Sequence, residues 1–397
     1  MRPRPKSRDD KALKIPVKRS VTPLKLGLVL SGGGSRAAYQ AGALKALIPY
    51  LEKHPDKISI IVGSSIGSVN GLILAACMDH GLEHAAQMLQ KLWRKRTFRN
   101  TFAGSPSMAF FRAIRMAFLQ YMSPGPAPTQ DAIFDPTPLM REVDQVLLDH
   151  GGLHPSNRDA SIEAVGVMTT VEGTERKPLL FLSSHKEIQK EYMTGASFES
   201  YQVEELTARH GFASAALPSV LPPVEIDTGN GKFRLVDGGI SQNVPVDPAV
   251  RLGAERVIII DISGRAFWFD QYNEAHDTRP TWEVPAGMET FCMRPPETLV
   301  VRNKEPFGPI LKDAVAKSSR KFIEALGPTW PVFRLLKNKI GEELAYEVMT
   351  YVALDPDYIH GLIERGYQEA KAKLKQHNAL HFEQHETLEE LVAVSGE

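Results

Sequence analysis

The chain has 397 residues, with 47 basic and 47 acidic side chains and a hydrophobic fraction of 43%. A formal net charge of zero removes the global electrostatic case for a nucleic-acid binder. Two cysteines, Cys77 and Cys292, exclude a disulfide-stapled fold and the usual cysteine-based zinc site, and they point to a reducing compartment. The first twenty residues carry eight basic and two acidic side chains. No apolar run follows before Pro23, so residues 1–22 read as a basic flexible tail or an electrostatic tether to anionic lipid rather than a secretory signal. "LKLGLVL", residues 24 to 30, reads as a buried strand, and "SGGGSRAAYQAGALKALIPYLEKH" turns through glycines into a helix from about Arg36 to Lys53. "KISIIVG" is a second buried strand, followed by a small-residue helix from Ile66 to Met78. Strand, helix, strand, helix in this order implies a parallel sheet.

Further on, "SIEAVGVMTT" and "KPLLFLSS" read as strands, and "TARHGFASAALPSV" as a helix stopped by Pro218. "GKFRLVDGGISQNVPVDPAVRLGAERVIIIDIS" gives strand, loop, short helix and strand. The expected organisation is a catalytic domain over residues 23–263, an insertion of uncertain role over 264–327, and C-terminal helices with an acidic tail over 328–397.

No charge falls between Lys57 and Asp79, a window about long enough to cross a bilayer. Its first half, however, holds Gly63, Ser64, Ser65, Gly67, Ser68, Asn70 and Gly71. Gly63-Ser64-Ser65-Ile66-Gly67 fits Gly-x-Ser-x-Gly between a strand and a helix, the context of a nucleophile elbow. The turn leaves no room for side chains at its flanks, so glycine is required at both, and Ser65 is pushed out at the helix start. The window thus reads as a buried strand plus a buried helix. The pentapeptide by itself also fits an ordinary tight turn.

Ser31-Gly32-Gly33-Gly34-Ser35-Arg36 occupies the same position after the first strand. Three successive glycines free backbone N–H groups to converge on a developing oxyanion. Arg36, in the first helical turn, can hold that loop in shape or meet a phosphate. A nucleotide-phosphate loop is the rival reading. It fits less well, because no Gly-Lys-Ser/Thr follows and Ala37 stands where Gly-x-Gly-x-x-Gly requires glycine. The third motif is "VDGGISQNVPVDPA". Asp237 ends a strand and enters a loop opened by Gly238 and Gly239. It reads either as a common Asp-Gly turn or as the base for Ser65, which a carboxylate can be in a partly desolvated pocket. Asn243, Asp247 and Asp261 are nearby alternatives without the two-glycine loop.

These motifs, in this order, resemble the patatin-like phospholipase family. "LVLSGGGSRAAYQAGAL", "VGSSIGSVNG", "FASAALPSVLPPV" and "LVDGGISQNVPVDPAVRLGAERVIIIDIS" look like its blocks, over roughly Leu24 to Ser263. The resemblance implies a three-layer α/β/α fold with a mainly parallel sheet. It also implies a Ser–Asp dyad with Ser65 as nucleophile and Asp237 as base, and an oxyanion hole from Gly32, Gly33 and Gly34. The implied activity is hydrolysis of acyl esters of phospholipids, lysophospholipids or neutral lipids without metal or cofactor. One departure is Ala37, where many bacterial and plant members have glycine and animal cytosolic relatives tolerate alanine.

A lipid acyl hydrolase must meet an interface. "SMAFFRAIRMAFLQYM" puts Met108, Phe111, Arg115, Phe118 and Met122 at helical spacings, as an amphipathic helix for a membrane or lid, or one packed on the core. "RAFWFDQY" and "TWPVFRLLKNK" add Trp268 and Trp330, placed at an interface or buried. The expected location is the cytoplasm, with peripheral contact at the inner face of a membrane. Three rivals remain open: an α/β-hydrolase triad, which needs a histidine after the acid; a nucleotide binder; and a catalytically silent protein that binds lipid or a partner. His210 is the one histidine near a motif, and it is expected to pack.

Overall fold

The first two strands, β1 (Leu26–Leu30) and β2 (Ile58–Ser64), are buried along their whole length. Their apolar residues nevertheless alternate between two cores. Leu26, Leu28, Leu30 and Ile61 join one cluster, while Val29, Ile60 and Val62 join another. A strand flanked by helices on both faces has no polar side, which is why these segments read as unbroken apolar runs. The computed structural model describes residues 24–104, 109, 111–112, 132–173, 175–186, 193, 196–229, 231–263, 296–317, 326–377 and 379–383.

Among these residues the sheet runs in the order β5-β4-β3-β2-β1-β8-β9. The further strands are β3 (Ala164–Val171), β4 (Pro178–Ser184), β5 (Glu199–Gln202), β8 (Arg256–Asp261) and β9 (Glu297–Arg302). The hairpin of β6 (Val224–Asp227) and β7 (Lys232–Val236) hangs from β3. Pairings β1/β2, β1/β8, β2/β3, β4/β5 and β8/β9 are parallel, whereas β3/β4 and β3/β7 are antiparallel. The result is the three-layer, mainly parallel α/β fold. The chain leaves β1 toward β2 on one side and returns as β8 on the other, so the carboxyl end of β1 is a switch point of the kind where open α/β sheets bind ligands.

One layer holds α1 (Ala38–Leu51), α2 (Ile66–Cys77), α3 (Leu82–Arg94) and the long C-terminal helix described below; the other holds a short helix, Val246–Arg251. The described elements between them include α4 (Phe98–Thr101), α5 (Thr137–Asp149) and α6 (Ala208–Ser214), with Val246–Arg251 as α7. Helix α2 is twelve residues long, and among the described residues no helix is long and apolar enough to cross a membrane. The uncharged window is therefore strand plus helix.

The sheet does not stop at Ser263. β9 extends it beyond β8, and α8 (Gly308–Lys317) follows, so part of the expected 264–327 insertion belongs to the α/β fold itself. The helices after it are α9 (Trp330–Ile340), α10 (Glu342–Met349) and α11 (Pro356–His377). α11 lies against α1 at glycine contact distance. A methyl group on Gly42 would meet the Ile363 carbonyl oxygen at 1.8 Å, and one on Gly366 would meet that of Tyr39 at 2.1 Å. The C-terminal region is thus a wall of the first helix, tied further by a 2.7 Å hydrogen bond from Tyr39 to Glu369. Residues 1–22, "RAFWFDQY" and most of "SMAFFRAIRMAFLQYM" lie outside the described residues, with Phe111 and Arg112 exposed.

Candidate active site

β1 and β2 are parallel neighbours with Leu30 opposite Gly63, so the loops that leave them emerge side by side. At the second loop, Ser65 adopts φ 51 and ψ −136, a left-handed conformation that a residue with a Cβ holds only under constraint. The constraint is steric. A methyl group on Gly63 would meet the Gly67 carbonyl and the Ser68 backbone at 2.5 Å, and one on Gly67 would meet the carbonyls of Leu30 and Ser31 at 2.5 Å. Both glycines of the pentapeptide are needed, as the sequence implies. The Ser65 N-cap makes no capping hydrogen bond with its side chain, which leaves Oγ for another partner.

That partner is Asp237. The Ser65 hydroxyl donates to Asp237 Oδ2 at 2.6 Å, across 172 positions of sequence. Asp237 directly follows the strand β7 and is held on every side. Its N–H donates to the Ala216 carbonyl (3.0 Å), its own carbonyl accepts from the Thr170 hydroxyl (2.8 Å), and Oδ1 accepts from Gly239 N–H (2.7 Å). Gly238 lies where a methyl group would strike the Met168 carbonyl at 2.1 Å. Asp237 is only 5% exposed. Burial pushes its carboxyl up to about 6, against the opposing pull of the hydrogen bonds from Ser65 and Gly239. A carboxylate so raised is a stronger base than a solvated one.

The glycine loop takes a different form from the expected trio. Gly32 N–H donates to the Asn243 carbonyl at 3.2 Å and is not directed at an oxyanion. Gly32 instead makes room: a methyl group there would meet Asn243 Oδ1 at 2.4 Å and the Ser65 Cβ at 2.7 Å. The donors of Gly33 and Gly34 make no bond to a protein acceptor among the described residues. Gly34 has φ +59, and a side chain on it would strike the Tyr351 carbonyl. Ala37, by contrast, sits at φ −62 and ψ −11, a right-handed conformation that asks for no glycine.

Arg36 resolves toward a structural part. It is buried, and its guanidinium donates to Thr350 Oγ1 (2.7 Å), the Glu347 carbonyl (3.0 Å) and Glu347 Oε1 (2.7 Å). The Tyr351 ring lies 3.8 Å from its central carbon. Ser35 joins the same anchor, with its N–H on the Tyr351 carbonyl and its hydroxyl on that of Thr350. These partners are more than 300 positions away, which is why no local pattern reveals them. A second unforeseen network runs beneath the loop. Gln40 Nε2 donates to the Ser31 carbonyl (2.9 Å), Asn70 Nδ2 donates to Gln40 Oε1 (2.8 Å), and Trp93 Nε1 donates to Asn70 Oδ1 (3.0 Å). It ties the glycine loop to α1, α2 and α3.

The alternatives to Asp237 are occupied elsewhere. Asp247 pairs with Arg251 at 2.7 Å, fully buried, and Asp261 accepts from Ser263 N–H at 2.9 Å. His210 caps α6 through Thr207 and packs on Phe181, and burial pushes its imidazole down to about 4. Among the described residues no histidine bonds to Ser65 or Asp237.

A family model described as patatin-like phospholipase matches residues 28–250, more than half of the chain. Solved structures that resemble this one include VipD from Legionella pneumophila (14% identity, TM-score 0.38, covering 90% of this chain and 68% of that one). Others are the type III effector protein ExoU, known in complex with SpcU from Pseudomonas aeruginosa (14%, 0.35, 92% and 55%), and human GIVD cytosolic phospholipase A2 (13%, 0.40, 89% and 62%). The chain thus spans between about half and two thirds of these proteins. No curated protein sequence matches it.

Proposed function

The chain belongs to the patatin-like phospholipase family, and from that premise we propose that it is a serine acyl hydrolase working through a Ser65–Asp237 dyad. The observation that carries the reading is the 2.6 Å hydrogen bond from Ser65, held in a strained elbow, to a buried carboxylate raised to about 6. Ser65 Oγ attacks the ester carbonyl carbon while its proton passes to Asp237 Oδ2. The oxyanion that forms is met by the N–H groups of Gly33 and Gly34, and collapse expels the alkoxide, which takes the proton from Asp237. Water, deprotonated by Asp237, then attacks the acyl-enzyme carbonyl, and collapse releases the fatty acid and the Ser65 alkoxide, which takes that proton back from Asp237. No step needs a metal or a cofactor.

The proposed substrates are phospholipids or lysophospholipids, reached by peripheral contact with a membrane. α9 supports such contact. It exposes Val332 and Leu335 with Lys339 on the same face and Arg334 at its edge, an apolar and basic surface suited to anionic lipid.

The test is covalent labelling with a fluorophosphonate, read by intact mass, on wild type, Ser65→Ala and Asp237→Asn. Wild type should gain one adduct, Ser65→Ala none, and Asp237→Asn should react slowly. The labelling rate of wild type should climb about tenfold per pH unit below pH 6 and level off above it, because only ionised Asp237 accepts the proton. Fatty acid release from phosphatidylcholine vesicles and lysophosphatidylcholine micelles then assigns the substrate. A folded wild type that stays unlabelled with and without anionic vesicles would overturn the proposal.

A further inference from the structure

At the end of α2 remote from Ser65, three imidazoles converge. His80 ends the 3-10 turn Met78–His80, His84 lies in the first turn of α3, and His150 caps the C-terminus of α5. One ring nitrogen from each lies within 4.8 Å of one from each of the others. The ring centroids are 5.1, 5.3 and 5.5 Å apart. Three imidazoles around one tetrahedral ion, at a metal–nitrogen distance of about 2.0–2.1 Å, place their centroids about 5.2 Å apart, a spacing that the three observed values bracket.

Two more features point to a ligand. Asp79 Oδ1 lies 2.8 Å from His80 Nδ1 and 3.2 Å from His150 Nδ1. A carboxylate that accepts both Nδ1 protons leaves Nε2 as the free lone pair and fixes each ring, the arrangement that orients metal-bound histidines. His84 Nε2, in turn, is buried without a hydrogen-bond partner, a costly state for a polar atom that an ion would relieve.

We propose that His80, His84 and His150 bind a zinc-class divalent ion, with Asp79 orienting two of the rings. The ion ties the α2–α3 turn to the end of α5. α2 is about 18 Å long at 1.5 Å per residue, so the ion stabilises the base of the nucleophile helix and takes no part in the reaction at Ser65. His80 is largely exposed, which gives the ion access from solvent and leaves a fourth position for water.

The experiment uses the full chain stripped with a chelator. Cobalt(II) should bind one equivalent with the intense visible bands of a tetrahedral nitrogen site, and zinc should displace it. Zinc at a hundredfold excess over its dissociation constant should raise the melting temperature by a few degrees, while fluorophosphonate labelling of Ser65 is unchanged. His84→Ala and His150→Ala should each weaken cobalt binding at least tenfold, and Asp79→Asn about 10- to 100-fold. His80→Gln, at an exposed position, does the same without disturbing the packing and serves if the half-buried variants fail to fold. Absence of the tetrahedral spectrum, or zinc stabilisation that persists undiminished in His80→Gln, would overturn the proposal.

Discussion

The two turns that follow β1 and β2 look alike in sequence and are built in opposite ways. Both run from a buried strand through small residues into a helix, and they lie side by side. The turn at Ser65 is self-contained: Gly63 and Gly67 leave no room for side chains, and the strain falls on Ser65 itself. The turn at Gly32–Gly34 carries no strained side chain, because its left-handed residue, Gly34, has none. It is held from afar instead, by Asn243 and by the segment Glu347–Tyr351. Local geometry presents Ser65, while tertiary structure holds the glycine loop. The difference teaches that the turn around Ser65, the proposed nucleophile, is the one that can be read from five residues.

The largest effect that tests this contrast is on the self-contained turn. Ser65→Ala should lower ester hydrolysis by about a thousandfold or more while the protein stays folded, since the proposed mechanism makes the removed hydroxyl the attacking group. Steady-state hydrolysis and thermal melting of the same preparation check both halves. Activity within tenfold of wild type would place the nucleophile elsewhere.

Next comes the anchored turn. Arg36→Met removes the cation that neutralises Glu347, whose side chain is 9% exposed. Breaking one side of a buried pair costs about 3–5 kcal/mol, and denaturant unfolding should report that loss. Activity should fall with it, because Ser35 and Gly34 rest on the same segment. If stability falls and activity does not, the loop is held by Gln40 and Asn243 alone, and the contrast between the turns weakens.

Asp237 faces the self-contained turn through Ser65, and it predicts a gain. Its folded carboxyl titrates near 6 rather than 3.8, so between those values the folded state binds more protons than the unfolded one. Stability therefore declines as pH rises through that window and is lowest above it. Two units correspond to about 3 kcal/mol at most. Asp237→Asn never ionises and should escape this penalty. It should melt higher than wild type at pH 7, lose the difference below pH 4, and react slowly at all pH values. A variant that melts lower at pH 7 would mean that the hydrogen bonds from Ser65 and Gly239 outweigh the burial of charge.

These expectations also mark what was legible. The strands, the elbow and the Asp237 loop follow from short-range sterics and apolar runs, and the matched motifs lie on the edge where β1, β2 and β7 end. The family resemblance carried the pairing of Ser65 with Asp237, since 172 positions separate them. Arg36 was visible, but Glu347, Thr350 and Tyr351 carry no pattern that names it. Gly32 looked like a donor because three glycines look equivalent; only the Asn243 carbonyl opposite it distinguishes them. β9 was hidden because the sequence before it, rich in Pro, Trp and Phe, has neither period, and no glycine motif beside it marks the short apolar run as a strand.

The smallest effect isolates the strain itself. Ser65→Ala removes the hydroxyl and keeps a Cβ at φ 51, whereas Ser65→Gly removes both. A non-glycine residue in such a conformation costs of order 1–3 kcal/mol, and glycine returns about 0.5–1 kcal/mol of that through its freer unfolded chain. Ser65→Gly should therefore be more stable than Ser65→Ala by about 1 kcal/mol, with both inactive. Melting curves of the two variants side by side read this directly, because every other contact of the turn is common to both. Equal stability would mean that the elbow relaxes once the hydroxyl releases Asp237, and that the strain at Ser65 is set by the hydrogen bond to the base. A clear advantage for glycine would mean that Gly63 and Gly67 impose the conformation by packing alone, which is what their clashes with the Gly67, Leu30 and Ser31 carbonyls require.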